Sequence, residues 1–208
     1  MEKEKKLVLL AQRIRALAQN GITYSLSEYD TERYEELIQI SNQITALATG
    51  LDAIQIDDCY HLMKEYATPK VDIRAVIFNE KDEILLVQEK SDGCWSLPGG
   101  WSDVGYSPSE VAVKEVKEET GLDVEAVRLL AVMDMSKHPY PLIPFYVYKF
   151  FILCDIKGGE FTNVFDIVGK RFFKLDELPP LSLERVLPEQ IFQMFDYYKN
   201  SVQTVYLD

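Results

Sequence analysis

Cysteine is scarce in this chain. Cys59, Cys94 and Cys154 are the only three in 208 residues. They are odd in number, widely spaced and free of any CxxC pair, which argues against a disulfide framework and against a thiolate zinc site. Basic charge is also in short supply. Lys and Arg total 22 against 34 Asp and Glu, a net charge of −12, which disfavours broad attraction to nucleic acid or to anionic membranes while leaving room for a local basic pocket. No apolar run approaches the length of a membrane span. The opening MEKEKKLVLLAQRIRAL has charge before an apolar stretch, but Gln12 and Arg13 break that stretch and no small-residue cleavage site follows, so a signal peptide is not expected. Internal repeats and low-complexity tracts are absent too. What remains is 47% hydrophobic and 27% charged, the balance of a globular cytoplasmic protein, with room for one domain or a domain plus an appendage.

The organising stretch is Leu97 to Leu122, LPGGWSDVGYSPSEVAVKEVKEETGL. Ser107 suits a helix N-cap, Pro108 the first helical position, and Glu110 completes a capping box. Gly121 suits the helix end, because glycine adopts the left-handed conformation without a Cβ penalty. Val111, Ala112 and Val116 then face a core. Glu115, Glu118 and Glu119 fall at i, i+3 and i+4 and share one face. Three like charges on one face repel one another, and a hard divalent cation with oxygen ligands relieves that repulsion. The plain alternative is a solvated acidic face neutralised by Lys114 and Lys117. The Gly99-Gly100 pair ahead of it favours the ligand reading, since it lets backbone approach a ligand and offers the Gly99 carbonyl to a metal.

Around this stretch, an apolar stripe of Leu7, Leu10, Ile14 and Leu17 predicts a first helix over 5–19, ended by Asn20-Gly21. A second helix is expected from Asp30 or Thr31 through Tyr34, Leu37, Ile38, Ile44 and Leu47 to Gly50. A third is expected at about 52–66, burying some of Ile54, Ile56, Cys59, Leu62, Met63 and Tyr66. Residues 1–66 thus form a small all-helical N-terminal domain, and 67–70 a linker. From Val71 the texture changes to strands: VDIRAVIFN, ILLVQEK, CWSLPGG, LDVEAVRLLAVMDMS, FYVYKFFILCDI and VGKRFFKL. Turns are expected at Lys157-Gly158-Gly159 and DELPPLS, and a last helix near Pro188 to Lys199. The order β-β-β-α-β-β-β-α over 71–208 is that of an α+β, sandwich-like mixed domain.

The pattern GG-x5-Y-x7-KEVKEETGL resembles the Nudix box: glycine, five residues, Glu, seven residues, Arg-Glu, an aliphatic residue, any residue, Glu-Glu, any residue, glycine, an aliphatic residue. Gly100, Glu115, Val116, Glu118, Glu119, Gly121 and Leu122 match at the required spacing. Tyr106 stands in place of the first Glu and Lys114 in place of the Arg. In the family those two positions often interact across the loop and helix, so their joint replacement reads as one change. The resemblance implies a mixed-sheet sandwich flanked by helices. With the helical segment ahead of it, the chain is similar to two-domain Nudix hydrolases that act on a nucleoside diphosphate linked to another moiety, including CDP-choline and ADP-ribose pyrophosphatase-like members. It further implies Mg²⁺ or Mn²⁺ and a homodimer.

On this resemblance Glu115 and Glu119 bind metal, and Glu118 is a further ligand or the acceptor of the water's proton. A second acidic residue from a later loop often assists in the family; Asp166 is the candidate, set just before the VGKRFF strand. For substrate, Arg74 is the candidate phosphate partner. Trp95 and Trp101 are candidates for stacking a base or a choline head, and His138 and Tyr140 for a lid in the proline-rich loop at 136–144. The leading expectation is cleavage of CDP-choline to CMP and phosphocholine. The alternatives are ADP-ribose or a nucleotide sugar, processing of short RNA ends, and a non-catalytic nucleotide sensor.

Overall fold

The two ends of the second helix are set by residues unsuited to helix interiors. Ser27 adopts extended backbone before it, and Gly50 (φ 74°) closes it with its N–H on the Ala46 carbonyl at 2.8 Å. The computed structural model describes residues 2–52, 55–56, 66–103, 105–163, 166–200 and 204–208. It divides into two compact units, Met1–Pro69 with Pro141–Tyr146, and Lys70–Tyr140 with Val147–Asp208.

The first unit contains α1 (Glu2–Tyr24) and α2 (Glu28–Thr49). They meet through small residues. Val8, Ala11 and Ala18 are buried on α1, and Ile38, Ser41 and Thr45 on α2. Ser41 Oγ donates to the Ala11 carbonyl at 2.8 Å, and the buried Arg15 guanidinium donates to Asn42 Oδ1 at 2.5 Å. Two expectations are corrected here. Gly21 does not end α1, because a Cβ there would collide with the Tyr34 ring: the glycine serves close helix approach rather than termination. The stripe of Leu7, Leu10 and Leu17 is exposed rather than inward, since the contact with α2 selects the slim face. Gln12 holds the 141–146 segment in this unit through the Ile143 and Phe145 carbonyls. Of the expected third helix only part lies within the described residues, where Gln55 and Ile56 are helical and Ile56 is buried.

The second unit is an α+β sandwich. Its strands are β1 (Lys70–Ile77), β2 (Ile84–Glu89), β3 (Trp95–Ser96), β4 (Gly99–Trp101), β5 (Leu122–Asp134), β6 (Val147–Gly159), β7 (Ile167–Phe173) and β8 (Tyr206–Leu207). A five-stranded sheet runs β4-β1-β6-β5-β8 and a three-stranded sheet β3-β2-β7. Helix α3 (Pro108–Thr120) packs over one core, with Val111, Ala112 and Val116 against Ile73, Ala75, Ile77 and Ile152. Helix α4 (Pro188–Lys199) closes the other, with Ile191, Met194 and Phe195 against Val76, Leu86, Met133 and Phe151. β1 is therefore buried on both faces.

Three strand expectations change. CWSLPGG is two strands in different sheets, because Pro98 lacks an N–H and instead accepts from Ala75 N at 2.8 Å as the chain crosses over. Lys157-Gly158-Gly159 ends β6 rather than forming a separate turn, with the glycines opposite Asp123 and Leu122. The short β8 was not foreseen; it pairs in parallel with Ala131 and Val132. Among the described residues no helix is long and apolar enough to cross a membrane.

Candidate active site

Helix α3 is fixed at both ends. Ser107 and Glu110 form the full capping box, and Gly121 (φ 87°) caps the C-terminus through Lys117 O. At that end Lys117 is drawn away to the Gly121 carbonyl and Asp123, which leaves Lys114 as the cation near the glutamates. Lys114 Nζ lies 2.9 Å from Glu118, 3.5 Å from Asp103 and 3.9 Å from Glu115.

The glycine loop comes to this face because β4 pairs antiparallel with β1, setting Gly99 opposite Arg74 and Gly100 opposite Ile73. Gly99 has φ 144°, and any Cβ there would drive into the Ile73 carbonyl; only glycine fits. Its N–H donates to Glu119 Oε2 at 3.0 Å. A Cβ on Gly100 would sit 3.2 Å from the Glu115 carboxylate carbon, so that glycine leaves the carboxylate its space. Burial pushes the Glu119 carboxyl up to about 8, against the opposing pull of Arg74 and the Gly99 N–H. Glu115 is also raised, mainly by burial. In both, the cost of enclosure outweighs the pull of the neighbouring cations, Arg74 on Glu119 and Lys114 with Arg74 on Glu115.

Arg74 and Asp72 are inside the sandwich. Arg74 Nε and Nη2 grip Asp72 at 3.1 and 2.8 Å, and its Nη1 donates to the Leu97 carbonyl at 3.1 Å. Lys149, opposite Asp72 in the β1–β6 register, donates to the same carboxylate. Burial works to raise Asp72, but the two cations hold it below the usual carboxylate range; burial brings Lys149 down to about 8. The Lys149 ammonium also stands 5.4 Å over the Tyr140 ring.

The remaining candidates divide. Tyr140 is buried, its hydroxyl donating to Gln190 Oε1 at 2.5 Å. His138 pairs with Asp208 at 3.0 Å. The Trp95 ring meets Phe173 edge-on at 4.8 Å, while its backbone holds Pro180 and Ser182. Trp101 is half exposed, with the Lys70 ammonium 5.4 Å over its ring. Asp166 is exposed, and its carbonyl accepts from Lys90 N at 2.9 Å. The structure thus brings Gly99, Arg74, Glu115 and Glu119 together, with Glu118 on the solvent side.

Three residues that sequence reasoning missed join them: Asp72, Lys149 and Glu89. Glu89 accepts from Ser96 Oγ at 3.3 Å, pairs with Arg185, and is felt electrostatically by both Glu119 and Arg74. For Asp72 and Lys149 a signal was available, as charged residues inside the apolar strands VDIRAVI and VYKFFIL; Glu89, at the end of ILLVQE, gave none.

Among the described residues, no group of three His, Cys, Asp or Glu side chains is arranged to hold a metal ion. Glu118 is instead paired with Lys114. Mg²⁺, however, is commonly held by one or two carboxylates, with water and substrate phosphate filling its shell. Two partly enclosed carboxylates with raised pKa beside a glycine backbone fit that demand.

A family profile described as NUDIX domain matches residues 68–194. A second, described as UDP-X-like, N-terminal oligomerisation domain, matches residues 5–60. The chain is 46% identical over 190 residues to the Bacillus subtilis (strain 168) protein named "Putative ADP-ribose pyrophosphatase YjhB", covering 91% of each. It is similar to the crystal structure of an ADP-ribose pyrophosphatase from Streptococcus suis, with a TM-score of 0.62 and 49% identity, covering 68% of this chain and 100% of that one. It also resembles the crystal structure of a UDP-X diphosphatase, with a TM-score of 0.64 and 35% identity, covering 99% of both chains.

Proposed function

The chain belongs to the Nudix family of hydrolases, and on that premise we propose that it is a divalent-metal-dependent pyrophosphatase splitting a nucleoside diphosphate joined to a second moiety. One observation carries this reading: Glu119 and Glu115 are enclosed against the Gly99-Gly100 backbone with their pKa values raised by burial. When bound, Mg²⁺ or Mn²⁺ neutralises the diphosphate and acidifies the attacking water. Glu115 and Glu119 would hold the ion, with the Gly99 backbone beside them and Glu118 as a further ligand from the solvent side. Arg74, its fork already fixed by Asp72 and Leu97 O, sets positive charge under the phosphates. For the carboxylate that takes the water's proton, Glu89 is the first candidate, since its charge is felt by both Glu119 and Arg74. Asp166, just before β7, is the second candidate.

ADP-ribose and UDP-linked compounds lead as substrates, since those words are in the names of the similar proteins; CDP-choline follows. We further propose a cytoplasmic homodimer built on the helical unit. The oligomerisation profile over 5–60 and the exposed stripe of Leu7, Leu10 and Leu17 support it.

The test is a product screen with Mg²⁺ and with Mn²⁺ on ADP-ribose, UDP-sugars, CDP-choline, nucleoside triphosphates and a short RNA, beside Glu119→Gln. The expected result is release of a nucleoside monophosphate from a diphosphate-linked compound, falling about a thousandfold or more in the variant. No turnover with nucleotide binding retained would replace the enzyme with a sensor.

A further inference from the structure

The loop between β4 and α3 carries Tyr106 where a carboxylate is usual, yet it is not left without one. The Tyr106 N–H donates to the Asp103 carbonyl at 3.3 Å. The Asp103 carboxylate and the Tyr106 ring meet the same cation. Lys114 Nζ lies 3.5 Å from Asp103 and 6.0 Å from the centre of the Tyr106 ring, while also reaching Glu118 at 2.9 Å and Glu115 at 3.9 Å. One ammonium therefore gathers a loop carboxylate and two helix carboxylates.

We propose that Asp103 supplies the loop-to-helix tie that Tyr106 cannot, and that Asp103 and Lys114 are positioning residues for Glu115 and Glu118. The tie has moved three residues toward the chain start, and its cation has changed with it. An arginine fork suits a carboxylate gripped from one direction, whereas a lysine ammonium is a compact point charge able to serve three at once. The Tyr106 ring face adds a cation–π contact on the remaining side. The tie holds the loop so that Gly99 N–H stays on Glu119 and Gly100 stays beside the Glu115 carboxylate. Its link to metal binding rests on the reading proposed above.

Two measurements test it, one of them independent of metal. In metal-free protein, amide exchange is followed at Ser102 and Tyr106, whose N–H groups are bonded to Val71 O and Asp103 O. Asp103→Asn and Lys114→Met should each speed it about threefold to fivefold, the range an exposed ion pair supports. By titration calorimetry Asp103→Asn should weaken Mn²⁺ binding about tenfold, as loss of an outer-sphere partner does. Tyr106→Glu in the Asp103→Asn background should restore both readouts. Exchange and affinity in Asp103→Asn within about twofold of the parent would overturn the proposal, being less than loss of such a partner produces. If the parent itself binds no Mn²⁺, the metal-dependent reading falls, and the exchange rates alone decide whether the tie exists.

Discussion

Two charge clusters lie close to Arg74, and they are neutralised in different ways. Asp72, Arg74 and Lys149 are each no more than 6% exposed and close on one another, so that one carboxylate satisfies two cations. Glu115 and Glu118 share Lys114, Glu119 feels Arg74 and accepts from the Gly99 N–H, and burial still pushes up the carboxyl pKa values of Glu115 and Glu119. The closed cluster is complete within the chain and acts as scaffold. The open one holds an excess of carboxylate, which costs free energy until a cation from outside arrives. A site for exchange and a structural ion network can therefore be told apart by where the missing charge would come from.

The largest expected effect separates the two clusters. Asp72→Asn leaves Arg74 and Lys149 buried without a carboxylate and should destabilise the fold by about 3–5 kcal/mol, the usual cost of breaking a buried ion pair from one side. Urea unfolding measures it. A loss below about 1 kcal/mol, the range of a surface pair, would mean that the cluster is as open as the glutamate face, and the contrast would collapse.

How much of this was legible in the sequence depended on how local the cause was. Helix α3 was readable end to end, because Ser107, Pro108, Glu110 and Gly121 act within one or two turns of themselves. The glutamate spacing was readable for the same reason. The roles of Asp72 and Lys149 were not, since they arise from a register between strands 77 residues apart. Glu89 looked like an ordinary strand-end residue until β3 brought Ser96 beside it. Helix α1 misled in another way. Large apolar residues suggest a core, but Gly21, Ala11 and Ala18 form the helix contact and the leucines are left outside.

Those leucines extend the comparison to apolar surface, where an open face likewise calls for something from outside. Leu10 and Leu17 are 51% and 54% exposed, so each has about half of the roughly 1.5–3 kcal/mol of full burial still to gain. Leu10→Glu with Leu17→Glu should weaken self-association about a hundredfold, near 3 kcal/mol. Helical content should stay unchanged, because the buried α1–α2 contact is made by Ala11, Ala18, Ser41 and Thr45. Sedimentation velocity across a concentration series checks this. An unchanged oligomer would move the interface off the stripe, and a monomeric parent would remove it.

The smallest effect is the most specific to the open cluster. The Glu119 carboxyl stands at about 8 in the folded protein against an ordinary value of 4.5. Between those values the folded chain keeps a proton that the unfolded chain has released, so stability falls as pH rises. The contribution is complete below about pH 4.5 and is lost through about pH 8. Glu119→Gln has no proton to lose. In EDTA the variant should therefore match the parent near pH 5 and exceed it by about 1–2 kcal/mol near pH 9, discounted for the solvent that reaches this partly exposed side chain. Adding Mn²⁺ should narrow the gap mainly from the parent's side, because the variant keeps only Glu115 and Glu118 for the ion to pair with. Chemical denaturation at several pH values, with and without Mn²⁺, gives the difference directly. A gap that stays flat with pH would mean that Glu119 is already neutralised within the chain, which would place it with Asp72 rather than opposite to it.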